Sequence, residues 1–69
     1  MKKIHNWLRL KRLGKELSQV ELAYAIGQKS HSYISQWESG LGKPSDEQCA
    51  AIAGVLECSV QDIWPEEEA

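Results

Sequence analysis

The stretches 18-SQVELAYAIG-27 and 30-SHSYISQWESG-40 decide the fold of this chain, because each carries the marks of a short helix and only two residues separate them. In the first, Ser18 stands three residues before Glu21, the spacing of a capping box, and Leu22, Ala23 and Ile26 share one helical face. Gly27 supplies the stop. In the second, Ser30 opens the segment, Ile34 and Trp37 fall three apart to face a core, and Gly40 closes it. His31, Ser32, Ser35 and Gln36 are left on the outer face, which is polar yet carries no Lys or Arg. The spacing predicts helices over about 18–26 and 30–38, joined by a tight turn.

The same punctuation runs outward. Ser45-x-x-Gln48 reads as a full capping box and Ser59-x-x-Asp62 as a weaker one with the shorter acid. Gly14, the loop Gly40–Pro44 and Pro65 read as stops. The remaining helices are expected at about 2–13, 45–56 and 59–64. Ile4, Trp7, Leu8, Leu10 and Leu13 give the first a broad apolar face, and Cys49, Ile52, Ala53 and Leu56 give the fourth a stripe at i, i+3, i+4 and i+7. No segment alternates as a strand does. The expected class is all-α, a compact bundle of four to five short helices held by mutual burial, since helices this short do not persist alone. One domain is expected over residues 1–65, with 66–69 a frayed acidic tail.

Sixty-nine residues bury only a small core. Cys49 and Cys58 form a C-x8-C pair with neither His5 nor His31 at zinc-finger spacing, so both read as reduced thiols acting as small hydrophobes; no metal and no cofactor is expected. No apolar run approaches a membrane span, and the start of the chain is not a signal peptide, so a cytoplasmic location and no membrane partner are expected. The net charge of −2 hides an asymmetry: residues 1–16 carry six bases against Glu16, a balance of +5, and residues 17–69 carry two against nine acids, a balance of −7. A partner feels the field at its contact face, not the sum.

The pattern S-Q-x-E-L-A-x-x-x-G followed by S-x-S-Y-I-S-Q-W-E-x-G resembles the helix-turn-helix of the phage repressor and Cro-like family of bacterial regulators. Arg12 upstream, and Lys43-Pro44-Ser45 and Val55-Leu56-x-Cys58-Ser59-x-x-Asp62-Ile63 downstream, extend the resemblance over about residues 4–64. It implies a lambda-repressor-like DNA-binding domain whose second motif helix enters the major groove, where base edges show distinct donor and acceptor patterns. Carried over by position, base readout is expected from His31, Ser32, Ser35 and Gln36, with Gln36 able to make a bidentate contact to adenine. Phosphate contact is expected from Gln19, Lys29, Ser30, Tyr33 and Lys43, with Arg9 and Lys11 adding charge. Arg12 and Glu38 match a structural ion pair of the family.

The resemblance also implies a nucleoid-associated bacterial protein of phage, prophage or mobile-element origin, a homodimer on a palindromic double-stranded operator. The dimer contact is expected around Val60, Ile63 and Trp64. Two departures stand out. Gln28 and Lys29 fill a turn where the family usually has one apolar residue, and an outward bulge is expected because Ile34, Trp37 and Glu38 stay in register. Glu57 stands where the family commonly has Gly at a helix end; a left-handed conformation there costs ~1–2 kcal/mol. Trp37 and Trp64 read as core, Trp7 as exposed or at a subunit contact. The competing reading is a protein-interaction module, an antitoxin or adaptor on the same scaffold; no nucleophile–base constellation or phosphate-cradling loop suggests an enzyme.

Overall fold

Serine hydroxyls start three of the five helices in the computed structural model, which describes residues 4–65. The helices are α1 (Leu8–Gly14), α2 (Gln19–Ala25), α3 (Ser32–Glu38), α4 (Asp46–Leu56) and α5 (Val60–Ile63). The all-α bundle is as the pattern predicts. The caps differ from expectation in two respects. Ser18 with Glu21 and Ser59 with Asp62 form reciprocal capping boxes, whereas Ser45 only accepts from the Gln48 N–H at 3.3 Å. Asp62 is short but reaches the Ser59 N–H at 3.0 Å, so the box expected to be weaker is complete.

Four helices end alike. The amide at the turn position returns to the carbonyl three residues back and the next amide to the carbonyl five back, the Schellman pattern, with the turn residue left-handed. The pairs run from Glu16 and Leu17 to Leu13 and Arg12, from Gly27 and Gln28 to Tyr24 and Ala23, from Gly40 and Leu41 to Trp37 and Gln36, and from Glu57 and Cys58 to Gly54 and Ala53. The turn φ values are 56° at Glu16, 81° at Gly27, 81° at Gly40 and 57° at Glu57. Gly14, expected as the first stop, is instead the last residue of α1. Two of the four left-handed sites therefore carry Glu where glycine sits without strain.

The first helix begins later than its apolar pattern predicts. Residues 4–7 form a non-helical strap; residues 2 and 3, where the expected helix began, lie outside the described residues. Tertiary hydrogen bonds explain the difference. The Ile4 N–H donates to the Gly40 carbonyl at 3.0 Å and the Trp7 N–H to the Ile63 carbonyl at 2.8 Å. The Asn6 amide donates to the Trp37 carbonyl at 2.8 Å while its oxygen accepts the Leu8 N–H at 3.0 Å. Asn6 thus stops helix growth toward the N-terminus and ties the strap to the end of α3, as a short amide side chain is suited to do.

The core comprises Leu8, Leu22, Ala23, Ile34, Trp37, Cys49, Ile52, Ala53, Leu56, Ile63 and Trp64. Cys49 packs among them as a small hydrophobe, Cys58 is half-buried, and desolvation pushes both thiols above their ordinary range. Leu10 and Leu13, expected to pack, are exposed, because α1 turns only Leu8 and Arg12 inward. Trp7 is about half exposed. No described helix is long and apolar enough to cross a membrane. The acidic tail expected at 66–69 lies outside the described residues.

Candidate nucleic-acid interface

α2 and α3 meet through a turn that keeps α3 in register despite its extra residue. The α2 terminator at Gly27 spends its amide and that of Gln28 on α2 carbonyls, leaving Lys29 to project into solvent. Gln28 is half-buried and shares a cavity of about 270 Å³ with Tyr33, Trp37 and Gln48. α3 then starts at Ser32, two residues later than expected, with His31 at the cap position. Ser30 still acts as a starter: its oxygen accepts the Ser32 N–H at 3.1 Å and its hydroxyl donates to the Ser32 oxygen at 2.9 Å. Ile34 and Trp37 are buried, so α3 keeps the expected register despite the longer turn.

A charged network locks α3 in place. The Arg12 Nε donates to Glu38 Oε2 at 2.5 Å, and both side chains are more than nine-tenths buried, at 8% and 6% exposed. The other guanidinium nitrogens donate to the Leu17 carbonyl at 2.7 Å and, more weakly, to Glu38 Oε1 at 3.3 Å. Gln19 completes the set by donating to Glu38 Oε1 at 3.0 Å. The carboxylate at the end of α3 therefore holds both α1 and the first turn of α2. The Arg12–Glu38 pair is as the motif predicts; the Gln19 bond is an addition, invisible in sequence because it joins positions 19 residues apart.

Of the expected base-reading residues, His31, Ser32 and Gln36 are exposed on α3 or its cap and Ser35 is half-buried. Tyr33 is exposed and stacks on Trp37, ring centroids 5.8 Å apart. Lys29, Ser30 and Lys43 are exposed, and Gln19 is half-buried. Arg9 and Lys11 are placed differently: they line shallow grooves beside Trp7 and Leu10 on the outer face of α1. The expected dimer residues need a correction. Ile63 is fully buried and Trp64 is 3% exposed, both packed in the chain's own core, so only Val60 keeps surface.

Local charge differs in sign from the total. Residues 22–45 contain Lys29 and Lys43 against one acid, Glu38, which faces Arg12 inside the protein. The exposed side of the turn and α3 thus carries no uncompensated carboxylate, in a chain of net charge −2. Such a face can approach a polyanion. Among the described residues no group of three His, Cys, Asp or Glu side chains could hold a metal ion.

These features agree with known proteins. Two crystal structures of the clp gene regulator ClgR from Corynebacterium glutamicum superpose with TM-scores of 0.72 and 0.70, each 36% identical and covering 80% of this chain. The chain corresponds to 57% of the length of the first and 70% of the second. Among curated proteins, none matches. A helix-turn-helix family model matches residues 8–63, from the first residue of α1 to the last of α5. The chain belongs to this helix-turn-helix family.

Proposed function

We propose that this chain is a sequence-specific regulator of transcription that inserts α3 into the major groove of double-stranded DNA. One observation carries the reading: His31, Ser32 and Gln36 stand exposed on a helix whose far end is clamped by Arg12, Glu38 and Gln19, and the single acid among residues 22–45 is Glu38, paired with Arg12. A reading helix needs that combination of free polar groups and fixed orientation. The likeness to a named gene regulator supports it.

In this reading Gln36, His31 and Ser32 contact base edges and Ser35 flanks them. Lys29, Ser30, Tyr33, Lys43 and Gln19 meet the phosphates on either side. Arg9 and Lys11, beside the apolar groups of α1, add positive charge toward the phosphates. The partner is a palindromic operator bound by a homodimer, and the type is that of a Cro-like or repressor protein from a phage, prophage or mobile element, working in the bacterial cytoplasm. Selection of random duplexes by the purified protein tests it. A palindromic winner whose binding falls steeply with salt and is lost in Gln36→Ala supports the reading; no enrichment by a folded protein overturns it in favour of an interaction module.

A further inference from the structure

We infer that Gln19 is a positioning residue for the reading helix. Through Glu38 it sets the angle at which α3 presents His31, Ser32 and Gln36, and with it the discrimination between one duplex and another. The inference rests on the DNA reading and gives Gln19 a role that a phosphate contact alone does not include. Gln19 Nε2 donates to Glu38 Oε1 at 3.0 Å, and among the described residues this is the one side-chain hydrogen bond that joins α2 to α3. Beyond the turn itself, the two helices otherwise share the core, where Leu22 and Ala23 of α2 and Ile34 and Trp37 of α3 are buried. Apolar burial is non-directional and tolerates a small rotation of one helix on another, whereas a hydrogen bond weakens steeply off its line.

The place of the bond gives it leverage. Gln19 is the first residue of α2 and Glu38 the last of α3. At ~1.5 Å per residue α3 is ~10 Å long, so a tilt of ~10° about its Glu38 end displaces the Ser32 end by ~1.7 Å. Groups that recognise a partner must be held to within ~0.5 Å, so such a tilt takes His31 and Ser32 out of reach of their base edges. Glu38 is a firm anchor. Its side chain is 6% exposed, and Arg12 donates to it from Nε at 2.5 Å and from Nη2 at 3.3 Å. Arg12 belongs to α1 and also donates to the Leu17 carbonyl, so the ion pair fixes the end of α3 within the protein. Gln19 adds the direct tie to α2, the helix that crosses the DNA backbone in this reading. Because Arg12 meets the charge of Glu38, removing the Gln19 amide leaves a paired carboxylate. The fold survives that change, with its reading helix less firmly aimed.

Equilibrium binding of Gln19→Met to two duplexes tests this role: the one recovered by selection, and an unrelated one of the same length. Loss of a phosphate contact lowers both affinities by the same factor, whereas a mis-aimed α3 loses base contacts on the selected duplex alone. We expect the ratio of the two affinities to fall about 10-fold, with helicity unchanged by circular dichroism. Gln19→Asn, one methylene shorter and unable to span the same distance, gives the same readout should Gln19→Met not fold. Lys43→Met, at a candidate phosphate contact outside the network, should weaken both duplexes alike. In a Gln36→Ala background Gln19→Met should lower the ratio little further, because the contact it aims is already gone. An unchanged ratio in the folded variant, or losses that simply multiply in the double variant, overturns the role. The DNA reading fails separately: if no duplex is enriched, that reading falls and the role with it, whereas a selected duplex whose ratio is indifferent to Gln19 removes the role alone.

Discussion

Replacing Glu38 by Gln probes the clamp on the reading helix. Glu38 accepts from Arg12 Nε, Arg12 Nη2 and Gln19 Nε2, and its side chain is 6% exposed. The amide keeps one acceptor oxygen and loses the charge, so a buried guanidinium is left with the Leu17 carbonyl and one neutral partner. Hydrogen bonds to charged groups contribute ~1.5–3 kcal/mol each, and breaking a buried pair outright costs ~3–5 kcal/mol. A loss of ~2–3 kcal/mol is therefore expected. Domains of this size have ~3–10 kcal/mol in all at ~0.05–0.15 kcal/mol per residue, so the variant should be folded but near its limit. With a urea slope of ~1 kcal/mol/M, the midpoint followed by circular dichroism should fall by ~2–3 M. The double variant Arg12→Met/Glu38→Leu, which removes both charges and fills the space with apolar atoms, should regain most of the loss. A midpoint change below about 0.5 M in Glu38→Gln, typical of an exposed pair, refutes the buried-clamp argument. So does a double variant no more stable than Arg12→Met alone.

The left-handed glutamates offer the opposite result: Glu16→Gly and Glu57→Gly, at φ 56° and 57°, should each raise the thermal midpoint, by relief of ~1–2 kcal/mol less glycine's entropy cost of ~0.5–1 kcal/mol. Glu57 also pairs with Lys15 at 2.6 Å, but both side chains are solvated, so its loss should take back little. Gly54→Ala should stabilise by ~1 kcal/mol in urea titration, because a Cβ there meets nothing within 4 Å and the residue lies inside α4. Acid should weaken the fold. The Ser18 backbone N–H and hydroxyl hold the Glu21 carboxyl below its ordinary value near 4.5, and the Ser59 backbone N–H and hydroxyl hold Asp62 below its value near 3.8. Depressed folded values mean stability present above those ordinary values and lost as pH falls through the folded ones. The urea midpoint should therefore drop below about pH 4.5, and Glu21→Gln should flatten that fall.

The sequence by itself determined the all-α class, the cap serines of α2, α4 and α5, the stripe of α4 and the short turn that joins α2 to α3, because each depends on groups a few residues apart. Ser18 and Glu21, or Cys49, Ile52, Ala53 and Leu56, act within one or two helical turns, and periodicity reports them directly. The Arg12–Glu38 pair was legible only through the resemblance, since 26 residues separate its members. Tertiary structure decided what periodicity leaves open. The pattern of α1 has apolar groups around most of its circumference, so it could not say which side would be buried. Packing against α3 chose Leu8 and Arg12 and left Trp7, Leu10 and Leu13 outside. Likewise Ile63 and Trp64 look the same in sequence whether they face a partner or their own core. The bond from the Trp7 N–H to the Ile63 carbonyl joins the strap before α1 to the end of α5, and the Ile63 and Trp64 side chains pack inward. Distant hydrogen bonds and side-chain volume settle such choices, and no local pattern encodes them.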